Sequence, residues 1–119
     1  MIVSVLTGYL HEYDKSKIKV QIENAVLYAI SEGGKIFLYQ SESELESVIS
    51  SVIKAVSKTH PDITYMSVKN KEKENKEVYV QKSFSKTYLL EKADILIVLE
   101  AKESVVNYSI PKTTLRIKI

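Results

Sequence analysis

The chain of 119 residues is long enough for one domain around a single core, and its 45% hydrophobic and 27% charged residues are ordinary for a globular protein. It contains no cysteine and only two histidines, which excludes disulfides, thiol catalysis and thiolate metal sites and disfavours a histidine-rich zinc site. The formal net charge of +2 is too small to indicate nucleic-acid binding by itself.

The first apolar run, MIVSVL, is six residues long, which is too short for the core of a secretory signal or for a membrane span. We therefore expect a cytoplasmic protein with no membrane partner. The chain has eight tyrosines, no tryptophan and many Lys, Ile and Val residues. Such usage is typical of proteins from thermophiles or from viral and other mobile genetic elements.

Residues 1–7 (MIVSVLT) form a β-branched run that ends at Gly8, which predicts a buried strand. In 17–32, apolar residues recur at spacings of three and four and predict a helix with one apolar stripe. The pair Gly33-Gly34 should end this helix, because glycine adopts the left-handed conformation without a Cβ clash. A second strand is predicted over 35–40 (KIFLYQ).

The next segment combines a helix start signal with a regular apolar stripe. Ser41 and Glu44 fit the capping box S-x-x-E. The predicted helix should end before Pro61, because the residue before proline avoids the α region. A third strand is predicted over 63–69 (ITYMSVK). The stripe that predicts the helix consists of Leu45, Val48, Ile49, Val52, Ile53 and Val56.

Residues 69–77 (KNKEKENKE) alternate in charge and contain nothing apolar, which predicts a solvated loop or hairpin tip, and 78–81 could add a short strand. The segment 84–93 reads as a helix with Phe84, Tyr88 and Leu89 facing inward.

Two more strands complete the prediction. Residues 94–100 (DILIVLE) are the most hydrophobic and should lie at the centre of the sheet, whereas 113–119 (TTLRIKI) alternate as an edge strand does. Strands that alternate with helices indicate right-handed crossovers. We therefore predict an α/β fold, a Rossmann-like three-layer sandwich with a mainly parallel sheet of about five strands, in a single domain over 1–119.

In such sheets ligands bind beyond the carboxyl ends of the strands, where the strand order reverses. Polar residues that follow the predicted strands are therefore the candidate ligand-binding residues. With three glycines the chain has no glycine-rich phosphate loop. The candidates are Thr7, Gly8, Tyr9, Gln40, Ser41, Glu100 and Ser104, and Ser43, Lys69, Asn70, Lys102 and Asn107 share their position after a strand.

The two histidines are candidates of a different kind. His11 lies in the loop after the first strand, where it could act as a general base or be an ordinary surface histidine. His60 precedes Pro61 at a helix end, which favours a structural role. We assign no catalytic residue, metal ligand or cofactor from the sequence.

Three pieces of the chain resemble the SLOG superfamily of Rossmann-like nucleotide binders, which includes the DNA-processing protein A and "lonely guy" families. They are the opening MIVSVLTGY, the following order of strand, helix, glycine pair, strand and helix, and FSKTYLLEKADILIVLEAKESVVNYSI. The resemblance implies a nucleotide-derived ligand, with Thr7, Gly8, Glu100 and Ser104 at matching positions. The family's glycine-rich turn after the second strand is replaced by YQSESE, so the chain resembles a degenerate member.

Our leading hypothesis is a non-catalytic Rossmann-like protein that binds a small, nucleotide-derived ligand. The alternative is a homo-oligomeric interaction protein, of viral or mobile-element type, that has lost its ligand site and pairs with its symmetry mate, as a homodimer, through the edge at 113–119. Nucleic acid is the least favoured partner, because 15 acidic residues are interspersed with 17 basic ones.

Overall fold

The computed structural model describes most of the chain, and the account below concerns these residues alone: 1–8, 10, 13–41, 45–68, 84–101 and 113–118, with side chains omitted for 84–87. Predictions for 69–77 and 78–81, and those for Tyr9, His11, Glu44 and Ser104, lie outside these ranges. None of the helices described is long and apolar enough to cross a membrane.

The described residues contain a five-stranded, all-parallel sheet in the order β3-β2-β1-β4-β5. The order reverses between β1 and β4, the two strands on either side of the switch point. All six residues of β4 are buried, as predicted for a central strand. The strands are β1 (Ile2–Thr7), β2 (Ile36–Gln40), β3 (Thr64–Val68), β4 (Ile95–Glu100) and β5 (Thr113–Lys118).

Helices cover both faces of the sheet, which confirms the α/β, Rossmann-like sandwich. Helices α1 (Lys15–Ser31) and α2 (Glu46–Ser57) pack in one apolar cluster with the odd-numbered residues of β1, Val3 and Val5. The other cluster joins Leu6 of β1 to Leu89 of helix α3 (Phe84–Lys92). The two faces follow from the alternation of side chains along each strand.

Helix α1 ends in the predicted glycine pair. The amide of Gly33 donates to the carbonyl of Ile30 at 3.0 Å, and the amide of Gly34 donates to the carbonyl of Ala29 at 2.8 Å. These are the two hydrogen bonds of a Schellman motif, and Gly33 has the positive φ of 103° that it requires. The glycine pair therefore turns the chain from α1 directly into β2.

The predicted capping box at Ser41 is wrong. Helix α2 begins at Glu46, its N-cap is Leu45, and no side chain caps it. The amide of Ser41 instead donates to the carbonyl of Val68 at 3.0 Å, so Ser41 extends the pairing of β2 with β3. The apolar stripe of α2 is confirmed, because Leu45 and Ile49 are buried together with the rest of it, and Val48 packs against the core.

Helix α3 is confirmed over almost its predicted length, but one of its inward residues is wrong. Leu89 is fully buried, whereas Tyr88 is 37% exposed and its ring lies 5.7 Å from Nζ of Lys92. Among the described side chains of this helix, Leu89 is buried and Leu90 packs against the same cluster. The side chain of Phe84 is not among those described.

A buried serine fixes α3 to the sheet. Ser4 in β1 is fully buried, and its hydroxyl donates to the carbonyl of Leu89 at 2.7 Å. Leu89 lies in the second half of α3. The hydroxyl of Ser4 therefore ties β1 to α3 through a buried side-chain hydrogen bond.

Candidate functional site

The carboxyl ends of β1 and β4 meet at the switch point of the sheet. Thr7 is paired with Leu99, and the amide of Gly8 donates to the carbonyl of Leu99 at 2.7 Å. The two strands therefore stay paired up to their carboxyl ends. Open α/β sheets bind their ligands beyond this point. The described candidates therefore lie at the edge of the sheet where a ligand is expected.

The structure brings five of the seven predicted binding residues to this edge. Thr7, Gln40 and Glu100 are the last residues of β1, β2 and β4, and Gly8 and Ser41 follow directly. They do not share one face, because alternation places Thr7 on the side of α1 and α2 and Glu100 on the side of α3. Tyr9 and Ser104 lie outside the described residues, so the full predicted set is untested.

Thr7 carries a polar atom in need of a partner. Its hydroxyl oxygen Oγ1 is buried and has no hydrogen bond within the described part of the chain. Most buried polar groups in proteins are hydrogen-bonded, and each exception calls for a specific explanation. A polar atom of a bound molecule at this edge would supply that partner.

The backbone conformation at position 8 does not require glycine. Gly33 is the glycine with a positive φ among the described residues. A Cβ built on Gly8 would lie 3.5 Å from the carbonyl oxygen of Leu99 and 3.7 Å from Cβ of Glu100, which are ordinary contacts. A small side chain therefore fits at position 8 in this structure.

The buried carboxylate of Glu100 takes part in a cluster with two partly exposed cations that the sequence did not reveal. Its carboxylate oxygen Oε1 accepts from Nη1 of Arg116 at 2.7 Å and lies 2.8 Å from Nζ of Lys118. The Glu100 side chain is 3% exposed. Arg116 and Lys118 are two residues apart in β5, so their side chains lie on the same face of the sheet. Glu100 is paired with Lys118, which brings both cations close to its carboxylate.

A groove opens between the first turns of α1 and α2. Both helices follow the carboxyl ends of their strands and cover the same face, so their N-termini lie side by side near the end of β1. The groove has a volume of about 290 Å³. Two amines, three hydroxyls and one aliphatic side chain line it: Lys15, Ser16, Lys19, Ser47, Val48 and Ser51.

Two neighbouring amines set the electrostatics of this groove, and the first turn of α2 adds one carboxylate, that of Glu46. Lys15 and Lys19 are one turn apart on α1, where like charges repel, and both lie near the positive end of the helix dipole. The first turn of α1 contains no acidic residue. The cap residue Asp14 supplies one carboxylate, whose Oδ1 accepts from the amides of Ser16 at 2.9 Å and Lys17 at 3.4 Å.

Tyr39, near the end of β2, has a phenol whose surroundings shift its pKa. Burial raises the pKa of its phenol above the ordinary value of 10.0, and the nearby Glu46 and Tyr65 raise it further. The neutral phenol belongs to the apolar cluster beneath α1 and α2. The Tyr39 side chain therefore forms part of the core beneath the two helices.

We expect this pKa to make folding sensitive to alkali. The unfolded chain releases the Tyr39 proton near pH 10 while the folded chain still holds it, so the free energy of unfolding falls as the pH rises above about 10 and is unaffected below. Urea unfolding at pH 8 and pH 11 measures this fall. Tyr39→Phe should reduce the fall, and Tyr28→Phe, at an exposed position, should not. An equal fall in all three proteins would contradict the assignment.

Metal and histidine chemistry receive no support from the described residues. They contain no cluster of three or more His, Asp or Glu side chains that could hold a metal ion. His60 makes local contacts only, with Nδ1 at 3.0 Å from Oγ1 of Thr59 and 3.3 Å from the carbonyl of Val56. These contacts fit the structural role expected for His60 at the end of α2.

Comparison with known proteins leaves the fold as the main guide to function. No protein-family model matches the chain, and neither the curated proteins nor the solved structures give a match. The resemblance to the SLOG superfamily therefore stays a prediction that rests on the residues quoted for it.

Proposed function

We propose that this protein binds a small anionic ligand, of the size of a mononucleotide or less, in the groove between the first turns of α1 and α2, and that it does so without catalysis. The observation that carries the proposal is the convergence of Lys15 and Lys19 with three serine hydroxyls at two adjacent helix N-termini. Helix N-termini and lysines both favour a negatively charged guest.

The two amines of the groove favour an anion over a neutral molecule, and Glu46 in the first turn of α2 is the charge that opposes it. Lys15 and Lys19 repel one another and oppose the helix dipole, so a bound phosphate or carboxylate would relieve two unfavourable interactions at once. The hydroxyls of Ser47 and Ser51 can donate to the anion's oxygens, and that of Ser51 now donates to the carbonyl of Val48 at 3.0 Å.

The size and lining of the groove support a small ligand and a binding role. Ligand pockets for drug-sized molecules usually have volumes of about 300–1,000 Å³, and this groove, at about 290 Å³, lies at the lower limit. The described side chains that line it include no carboxylate and no imidazole, the usual groups for proton transfer. Amines and hydroxyls suffice for holding and orienting an anion.

Calorimetry and thermal unfolding with inorganic phosphate, AMP, ATP and a cyclic dinucleotide test the proposal. A ligand that binds the folded chain must raise its unfolding temperature. Lys15→Gln combined with Lys19→Gln should weaken binding by about tenfold or more, because each charged hydrogen bond contributes about 1.5–3 kcal/mol. No response to any of the four probes at millimolar concentration would refute the proposal.

A matched control separates a local site from general charge attraction. Lys54→Gln combined with Lys58→Gln removes the same charge near the opposite end of α2 and should leave the affinity unchanged. An equal loss in both double variants would mean that the ligand responds only to net charge. Thr7→Val tests whether the ligand contacts the buried hydroxyl of Thr7. Weaker binding with unchanged stability would indicate that it does.

A further inference from the structure

The two outer strands of the sheet differ in how they are protected. Strand β5 carries Arg116 and Lys118, and charged residues at an edge discourage pairing with another chain. Strand β3, with the sequence TYMSV, has no charge, no proline and no glycine. It is therefore the less protected edge among the described residues.

The backbone of β3 offers a regular set of hydrogen-bonding groups on its outer side. Thr64 donates to the carbonyl of Lys35 at 2.8 Å, and the carbonyl of Val68 accepts from Ser41 at 3.0 Å, so these two residues point their backbone groups toward β2. Along a parallel strand the backbone groups of successive residues point to opposite sides, so Met66 also faces β2. Tyr65 and Ser67 thus direct one amide and one carbonyl each away from the sheet.

The exposed side chains of β3 are apolar enough to gain from association. Met66 is 56% exposed on one face of the strand, where its partner in β2 is Leu38, and Tyr65 is exposed on the other. A second strand laid against this edge would cover apolar surface on both faces of the sheet. Among the described residues, the edge thus combines backbone groups that no neighbouring strand uses with apolar side chains.

We infer that two copies of this chain associate by antiparallel pairing of β3 with β3, with Met66 on the two-fold axis. In that register Tyr65 of each chain lies opposite Ser67 of the other. Each of these two pairs forms two backbone hydrogen bonds, one from each amide to the opposite carbonyl. No charged side chain within the strand opposes a like charge. The result is a continuous ten-stranded sheet, at an edge other than β5.

Disulfide cross-linking tests this register, because the natural chain contains no cysteine. Two residues at position 66 would form a pair without mutual hydrogen bonds, with Cα atoms about 4.5 Å apart, which suits a disulfide. Two residues at position 64 would lie about 13 Å apart, beyond the reach of a disulfide. Met66→Cys and Thr64→Cys are therefore a matched pair on one face of one strand.

On oxidation with diamide, we expect Met66→Cys to form covalent dimers at least tenfold faster than Thr64→Cys. The unmodified protein should show twice the mass of one chain in light scattering at high concentration, and Met66→Lys should return it to one chain. Equal cross-linking of both variants, or a strict monomer at all concentrations, would overturn the inference. The ligand experiments above do not depend on this outcome.

Discussion

Gly34→Ala is expected to destabilise the protein by about 3 kcal/mol, the largest effect of any glycine substitution in the described chain. A Cβ at this position would lie 2.7 Å from Cγ2 of Val3 and 2.8 Å from the carbonyl oxygen of Ala29. Neither atom can move freely, since Val3 is fully buried and the Ala29 carbonyl accepts the amide of Gly34. Urea unfolding followed by circular dichroism measures the loss.

The other two glycines are the controls for this prediction. Gly33→Ala places a Cβ in the left-handed region at φ 103° and should cost about 1–2 kcal/mol. Gly8→Ala makes only ordinary contacts and should change stability by less than about 0.5 kcal/mol. If Gly8→Ala proved as harmful as Gly34→Ala, close packing of α1 against β1 would not be the cause.

Removing both cations around Glu100 is expected to cost about 3–5 kcal/mol. The double variant Arg116→Met, Lys118→Met leaves a carboxylate that is 3% exposed without the two cations that now contact it. The Glu100 side chain is almost inaccessible to water, so solvent replaces these two contacts only poorly. Thermal and urea unfolding at pH 7 should show the loss at both low and high salt, since buried pairs are only weakly screened.

A third substitution distinguishes the loss of these two charge contacts from lost packing. Adding Glu100→Leu to the double variant should recover most of the lost stability, because an apolar replacement of a whole buried ion cluster is often neutral. The exposed pair Lys35–Asp62, with 3.5 Å between Nζ and Oδ2 and both side chains 62% exposed, is the control. Lys35→Met should cost about 1 kcal/mol at most. Failure of Glu100→Leu to restore stability would contradict the electrostatic explanation.

The layers of the fold could be predicted from the sequence because local signals agreed with each other. The β-branched runs, the apolar stripe from Leu45 to Val56 and the glycine pair after α1 each pointed to one structure, and the five strands and three helices of the described residues confirm them. Parallel order followed from alternation of strands and helices. These features depend on residues that are neighbours in sequence.

The errors arose where a distant contact outweighed the local signal. Ser41 fits a capping box, but pairing with Val68 uses its amide in the sheet. Tyr88 fits an inward stripe, but the register of α3 is set by Leu89 and by the hydroxyl of Ser4 on the Leu89 carbonyl. Neither partner can be identified from local periodicity.

The candidate site was predicted in part for the same reason. The position of Thr7, Gly8 and Glu100 at the carboxyl edge follows from strand ends alone, whereas the contact of Glu100 with β5 depends on the register between two strands. The groove at Lys15 and Lys19 requires two helices to lie side by side. The spacing of these lysines on a first turn without acids was the signal that could have indicated it.

The central place of β1 has a consequence for the order in which the chain can fold during synthesis. The amide of Ile2 is held by the carboxylate of Asp94, 92 residues later, and β1 pairs with β4 over five positions. During synthesis, β1 must therefore wait with one side open until β4, about 90 residues later, has been made. Contacts of such long range slow folding, so a nascent chain presents an open strand edge until β4 becomes available.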